Sequence, residues 1–249
     1  MTGKSHIEML KLCLISLVGT NRSLPELSIV NDGSLLDQEI IHALKFWPAI
    51  FKIESLENVY SYHNKRNRYA LIEYAKLNAF GKKLAIILHQ AEMRPTLWID
   101  SDILFFKDFT STLPNVNKEF FCGGSEDFVR AYHEKVLNNM KSLTVPKKNF
   151  NAGLLYVFGD SIYEKFNLEN VIAEIHPHYD FLTEQTIFAH ISTYSLEVIW
   201  TRKQIENCYD DNQSLWPTDT NLLIGRHYTS NVRHLFWRDA FFLVNFKKI

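Results

Sequence analysis

Apolar positions recur at helical spacing over residues 7–18, 35–46 and 69–90, and cluster in strand-length runs at 26–30, 49–53 and 96–99. That alternation predicts an α/β fold, a mostly parallel central sheet flanked by helices. Further along, 120–124 and 153–158 read as strands, and 126–143 and 181–192 as helices. Asn31-Asp32-Gly33 is a turn signal closing one strand, and Gly81 is the expected break within 69–90. A helix begins almost at residue 1, so the strand that normally precedes it in a parallel sheet is missing from the pattern. No repeat, low-complexity tract or linker-like shift divides the chain, which predicts a single domain over residues 1–249.

One stretch interrupts this pattern. In TLWIDSDILFF, Asp100 and Asp102 stand one residue apart between two apolar runs. Residues two apart on a strand share a side, so both carboxylates can face one cation where the strand ends. Carboxylate oxygens suit Mn²⁺ or Mg²⁺, whose shells are completed by water and substrate phosphates. Burying such a pair without a cation or hydrogen-bond donors costs several kcal/mol. Asp32 and Asp100 both lie at strand ends, where open α/β sheets gather ligands.

Composition narrows the classes. The formal net charge of 249 residues is −1, with a pI near 6.8, so no broad positive field recruits nucleic acid. Three cysteines, none arranged as CxxC, argue against a disulfide framework or structural zinc and fit a reducing cytoplasm. The apolar run at 9–18 is broken by Lys11, is too short to span a bilayer, and does not fit a signal peptide.

A cation on two aspartates needs a further ligand, and His227, in GRHYTSNVRHLFW, is the candidate. Arg226, Arg233, His234 and Arg238 surround it, interleaved with Tyr228, Phe236 and Trp237. The mixture suits a solvated face, a peripheral membrane edge, or a cradle for a diphosphate. NFNAGLLYV places Asn151 and Gly153 at the start of a strand, where Asn and Gly also serve turns. DFLTEQTIFAH opens a helix with Thr183 as possible cap and Glu184 and Gln185 in its first turn, which is also ordinary helix-start chemistry.

Taken in order, DSD, NAG, EQ and H-x₂-S-x₂-R resemble the motifs of the metal-dependent sugar-nucleotide glycosyltransferases of the GT-A fold, especially glycosyltransferase family 8, which includes glycogenin. The resemblance runs from Thr2 to about Trp237. It implies that Asp100 and Asp102 hold Mn²⁺ (or Mg²⁺) against the diphosphate of a UDP-sugar, with His227 as the third protein ligand. In the closing motif Ser230 stands for the family's glycine and Arg233 for its lysine; Arg233 would grip phosphate as a fork. Lys83, before Leu84, matches a lysine that reaches the donor. Asn151 and Gly153 match an Asn-Ser-Gly, with Ala152 for the serine. Glu184 and Gln185 match an Asp-Gln pair on the sugar and acceptor side, and Asp32 lies where the family's second strand meets the nucleotide. The opening MTGKSHIEM resembles the family just after its first strand, which implies a domain lacking that strand.

The implied activity is that of a hexosyltransferase-like enzyme, moving a sugar to a hydroxyl of a glycan or other acceptor with retention at the anomeric carbon. Its alternatives are a sugar-nucleotide hydrolase using the same carboxylates, and an impaired or non-catalytic relative that binds nucleotide sugar. The expected setting is the cytoplasm, with the basic-aromatic residues 226–248 permitting peripheral membrane contact.

Overall fold

The computed structural model describes residues 1–115, 119–140, 149–195, 198–209 and 223–246. In chain order the first half holds α1 (Ile7–Thr20), β1 (Leu27–Asn31), α2 (Asp37–Ala43), β2 (Phe51–Ser55), α3 (Leu56–Asn64), α4 (Tyr69–Leu77), α5 (Ala79–Met93), β3 (Thr96–Ile99) and β4 (Ile103–Phe105). The second half holds β5 (Phe120–Glu126), α6 (Glu134–Asn139), β6 (Phe150–Gly159), α7 (Ile162–Lys165), α8 (Leu168–Ile175), α9 (Thr183–Ser192), β7 (Val198–Trp200), β8 (Ile205–Cys208), β9 (Gly225–Tyr228) and α10 (Arg233–Phe246). Contacts sort these into two compact units.

The first unit comprises Met1–Ser55, Ile99–Leu113 and Trp200–Ile249. Its strands form a parallel pair, β1–β2, and a three-stranded sheet ordered β4-β9-β8. In that sheet β9 runs antiparallel to β4 and parallel to β8. Thr2 bridges β1 in parallel, its N–H donating to Val30 O and its carbonyl accepting from Asp32 N. Met9 of α1, Leu104, Cys208 and Tyr228 of the sheet, and Leu235, Phe236 and Leu243 of α10 share one buried cluster. The four-residue strand β9 is fixed on both faces. Arg226 and Tyr228 point to α10, where both donate to Asp239 Oδ2, at 3.0 and 2.7 Å. His227, between them, faces the other way, as strand alternation requires.

The second unit comprises Leu56–Trp98 and Pro114–Ile199, with a four-stranded sheet ordered β3-β6-β5-β7. β5 and β6 pair antiparallel, and the register jumps between Gly124, opposite Leu155, and Ser125, opposite Asn151. Ala152, Gly153 and Leu154 are therefore extra residues on β6 with no partner on β5. Gly124 suits this irregularity, since a Cβ there would meet the Phe150 ring at 2.7 Å and Asn151 O at 2.8 Å.

Three expected details differ. The helical stretch 69–90 breaks at Asn78, whose Oδ1 accepts from Phe80 N and starts α5. Gly81 lies inside α5, because a Cβ there would collide with the Tyr74 carbonyl at 2.5 Å. Of the helix expected over 126–143, only α6 forms, and 141–148 lie outside the described residues. Residues 127–133 are a loop because their backbone groups bond elsewhere: Asp127 N donates to Asn149 O, and His133 N to Thr186 Oγ1. Thr183 is the first residue of α9 and does not cap it; Leu182 precedes it without a side-chain cap. Asp180 Oδ1 instead accepts from Leu182 N at 2.8 Å, shaping the approach.

Candidate metal and donor site

In the first unit, Asp100 and Asp102 occupy the turn that follows β3 and leads into β4. The register Ile103↔His227 on one side of β9 and Asn207↔His227 on the other brings three distant segments together. Tyr228 N donates to Asp102 O at 2.9 Å, extending the ladder by one residue and fixing the turn. One ligand atom from each of Asp100, Asp102 and His227 lies within 4.8 Å of the others. Among the described residues this is the group of acids, cysteines and histidines that could hold a cation.

The imidazole is oriented. Asn207 Oδ1 lies 3.0 Å from His227 Nδ1. An amide oxygen only accepts, so Nδ1 carries the proton. Nε2 then faces Asp102 Oδ1 at 3.3 Å. A neutral ring with that tautomer sets a lone pair against a carboxylate; either a proton or a metal cation resolves the conflict. A ring nitrogen held by a second partner while the other faces carboxylates is the usual arrangement of a metal-bound histidine. The residues thus fit a hard divalent cation: two carboxylates and one oriented imidazole.

Arg233 completes the cluster. Its Nε and Nη2 donate to Asp102 Oδ2 at 3.1 and 3.0 Å. Burial alone would raise the Asp102 carboxyl, but the charge and hydrogen bond of His227, with Arg233 behind them, outweigh it and hold the carboxyl at about 2. Cys13 is no ligand: burial, and then the Asp102 charge, pushes its thiol well up. Asp32 stands apart from this group in sequence and in bonding. Its Oδ1 accepts from Ser34 N and Oγ in the β1–α2 turn. Gly3 packs so tightly on its carboxylate that a Cβ would overlap Oδ2.

In the second unit, Lys83, Asn151, Gly153, Glu184 and Gln185 meet around the extra residues of β6. Ala152 has lost its ladder partner there, and its polar groups are taken up by side chains. Lys83 Nζ, on α5, donates to Ala152 O at 2.9 Å. Gln185 Oε1 accepts from Ala152 N at 3.4 Å while its Nε2 donates to Ala131 O. Asn151 Oδ1 accepts from Gly153 N, and its Nδ2 donates to Asp127 Oδ2. Glu184 is 1 % exposed and its Oε1 lies 3.6 Å from Lys83 Nζ, a buried pair of opposite charges. Lys83 Nζ also sits 5.7 Å from the Trp98 ring centroid.

Two participants escaped the sequence. Asn207 orients His227, yet nothing in IENCYDD marks it. Asp127, which holds Asn151, sits in an unremarkable SED. Both depend on strand register, which local spacing does not encode.

No family model matches the sequence, and no curated protein matches it in sequence. Solved structures do match in fold. The galactosyltransferase LgtC, in complex with donor and acceptor sugar analogs, is similar at TM-score 0.61 and 12% identity, over 96% of this chain and 93% of that one. Mouse xyloside xylosyltransferase 1, in its apo form, is similar at TM-score 0.57 and 12% identity, over 92% of this chain and 96% of that one. The bifunctional glycosyltransferase WbbM, in its apo structure, is similar at TM-score 0.58 and 11% identity; the likeness covers 96% of this chain but 48% of WbbM. At such identities the likeness is one of architecture, and the architecture of this chain is the α/β GT-A fold of the glycosyltransferases.

Proposed function

We propose that residues 1–249 form one catalytic domain of a metal-dependent, family 8-type glycosyltransferase. It transfers a hexosyl group from a UDP-sugar to a hydroxyl of a glycan or other acceptor, with retention. The observation that carries this reading is the Asp100–Asp102–His227 cluster, whose imidazole is held by Asn207 with Nε2 toward the carboxylates.

Asp100, Asp102 and His227 would hold Mn²⁺ or Mg²⁺. Bound there, the cation supplies Lewis acidity toward the leaving diphosphate. The chain's own residues do the rest. Asn207 keeps His227 in one tautomer and orientation. Arg233 presents two parallel donors, a geometry that fits a carboxylate or a phosphate equally; release from Asp102 would free it to grip the diphosphate as charge develops. Lys83 and Gln185 hold the Ala152 segment rigid, and Lys83 sets its ammonium 3.6 Å from the buried Glu184 Oε1. By resemblance, Glu184 and Gln185 serve the sugar and acceptor side, Asn151 and Gly153 the donor, and Asp32 the nucleotide. Three buried free thiols fit a cytoplasmic setting.

Calorimetric titration with UDP, with and without Mn²⁺, on the wild type and Asp102→Asn tests this. About micromolar binding that requires Mn²⁺ and disappears in the variant is expected. UDP binding indifferent to Mn²⁺, or none in any condition, overturns it. Free sugar as the sole product with every acceptor would reassign the same site to hydrolysis.

A further inference from the structure

Strand β2 lies at the edge of its sheet. It pairs with β1 along one side, and among the described residues no strand pairs with the other. Such an edge presents a row of backbone donors and acceptors, which proteins usually guard with proline, a bulge or an outward lysine. Residues 49–55 hold no proline, and the five residues of β2 match five of β1 without a register shift. The one lysine is drawn inward: Lys52 Nζ reaches Glu26 Oε1 at 2.6 Å, just ahead of β1 and away from the open side. Phe51 and Ile53 are half-buried, and Ile50, directly before the strand, is 87% exposed.

The strand is complementary to itself. Side chains two apart share a face, so Lys52 and Glu54 lie on one side of β2 and Phe51, Ile53 and Ser55 on the other. Laid antiparallel against a second copy with Ile53 on the two-fold axis, Ile53 meets the partner's Ile53. Each Lys52 then stands opposite the partner's Glu54, and each Phe51 opposite the partner's Ser55. Moving the axis by one residue either way sets two lysines or two glutamates against each other on the axis. Charge thus selects one register, and that register needs an identical strand. A two-fold contact uses the same edge of both copies and closes at two.

We propose that β2 pairs edge to edge with β2 of a second copy, antiparallel about Ile53, so that the two β1–β2 pairs become one four-stranded sheet. Backbone hydrogen bonds supply the attraction, and Lys52 with the partner's Glu54 fixes the register. Five residues a side make a small interface, so the dimer is weak and depends on concentration. The inference is independent of the proposed activity, since its readout is association.

Sedimentation equilibrium of the full chain, from about 1 µM to about 1 mM, tests it and should show a monomer–dimer equilibrium. Glu54→Lys, which sets lysine against the partner's Lys52, should weaken the dimer about fivefold or more. Disulfide trapping reads the register without relying on that variant. Cys13, Cys122 and Cys208 are buried, so the wild type should form no covalent dimer with oxidised glutathione. Ile53→Cys should cross-link to its own kind, because the two thiols meet on the axis. Ile50→Cys should not, because its two copies would stand about 20 Å apart along the ladder. A wild type that stays monomeric throughout overturns the proposal, as does a dimer that Ile53→Cys does not trap. Cross-linking of Ile50→Cys as readily as Ile53→Cys would assign the contact to another register and equally overturn it.

Discussion

His227 Nε2 faces Asp102 Oδ1 at 3.3 Å, while Asn207 fixes the opposite nitrogen at 3.0 Å. A neighbour outside the candidate cation group thus decides which nitrogen is available. Asn207→Ala should leave the fold intact and weaken Mn²⁺ binding about 10- to 100-fold. Paramagnetic titration of Mn²⁺ checks it; unchanged affinity would mean that Asn207 does not orient the ring.

Arg233 and a cation compete for the same carboxylate. Replacing Arg233 by Met should strengthen binding of Mn²⁺ alone by about two- to fivefold, a small effect because the Arg233 side chain is 42% exposed. The same change should weaken binding of UDP with Mn²⁺. Opposite signs in the two titrations are the signature; loss in both would make Arg233 a structural support of the site.

The pair Lys83–Glu184 is buried on both sides. Lys83→Met strips a donor from Ala152 O and leaves Glu184 without its counter-charge, at a cost of about 3 kcal/mol or more in urea unfolding. Adding Glu184→Gln should recover part of that loss, because the uncompensated charge is then gone. A double variant as unstable as the sum of the singles would show that the two do not interact.

Stability should fall on mild acidification through His63, which is 0% exposed on α3. Its Nδ1 faces the Arg68 guanidinium and its Nε2 donates to Ala85 O, so the ring is held neutral. Burial, with the charges of Arg68, His89 and Arg66, lowers its pKa from 6.5 to about 4, against the Ala85 hydrogen bond. A depressed histidine means that the unfolded chain binds the proton first. Stability is therefore full above about pH 6.5 and drains toward pH 4, by roughly 1.4 kcal/mol per unit at most. His190, lowered by burial, acts with the same sign. His63→Gln should flatten the dependence of the melting temperature on pH between 7 and 5 (about 1 kcal/mol or more of slope removed); an unchanged slope would place the titration elsewhere.

Where the chain announces its structure, the signal is local. The periodicity of α1 and α9, the strand length of β3, and the carboxylate pair of DSD all sit within a few residues of one another. The failures are of one kind. Gly81 looks like a breaker, yet its missing side chain admits the Tyr74 backbone. Phe128 and Val129 fall within the helix expected over 126–143, yet both are exposed on a loop whose backbone is held by Asn149, just before β6, and by Thr186 of α9. Ala152 stands just ahead of the strand expected over 153–158, yet it lies inside β6 as one of three residues with no partner on β5. Each outcome is decided by a segment far along the chain, which spacing does not carry.

The two-sided use of β9 limits how this protein can change. Sliding the strand by one residue would hand an imidazole to Asp239 and a guanidinium to the DSD carboxylates, losing the helix anchor and the candidate ligand in one step. The number of these four positions is fixed. Length variation near the carboxyl end must therefore be absorbed before Gly225 or after Tyr228, and homologous chains of different length should still align here without a gap.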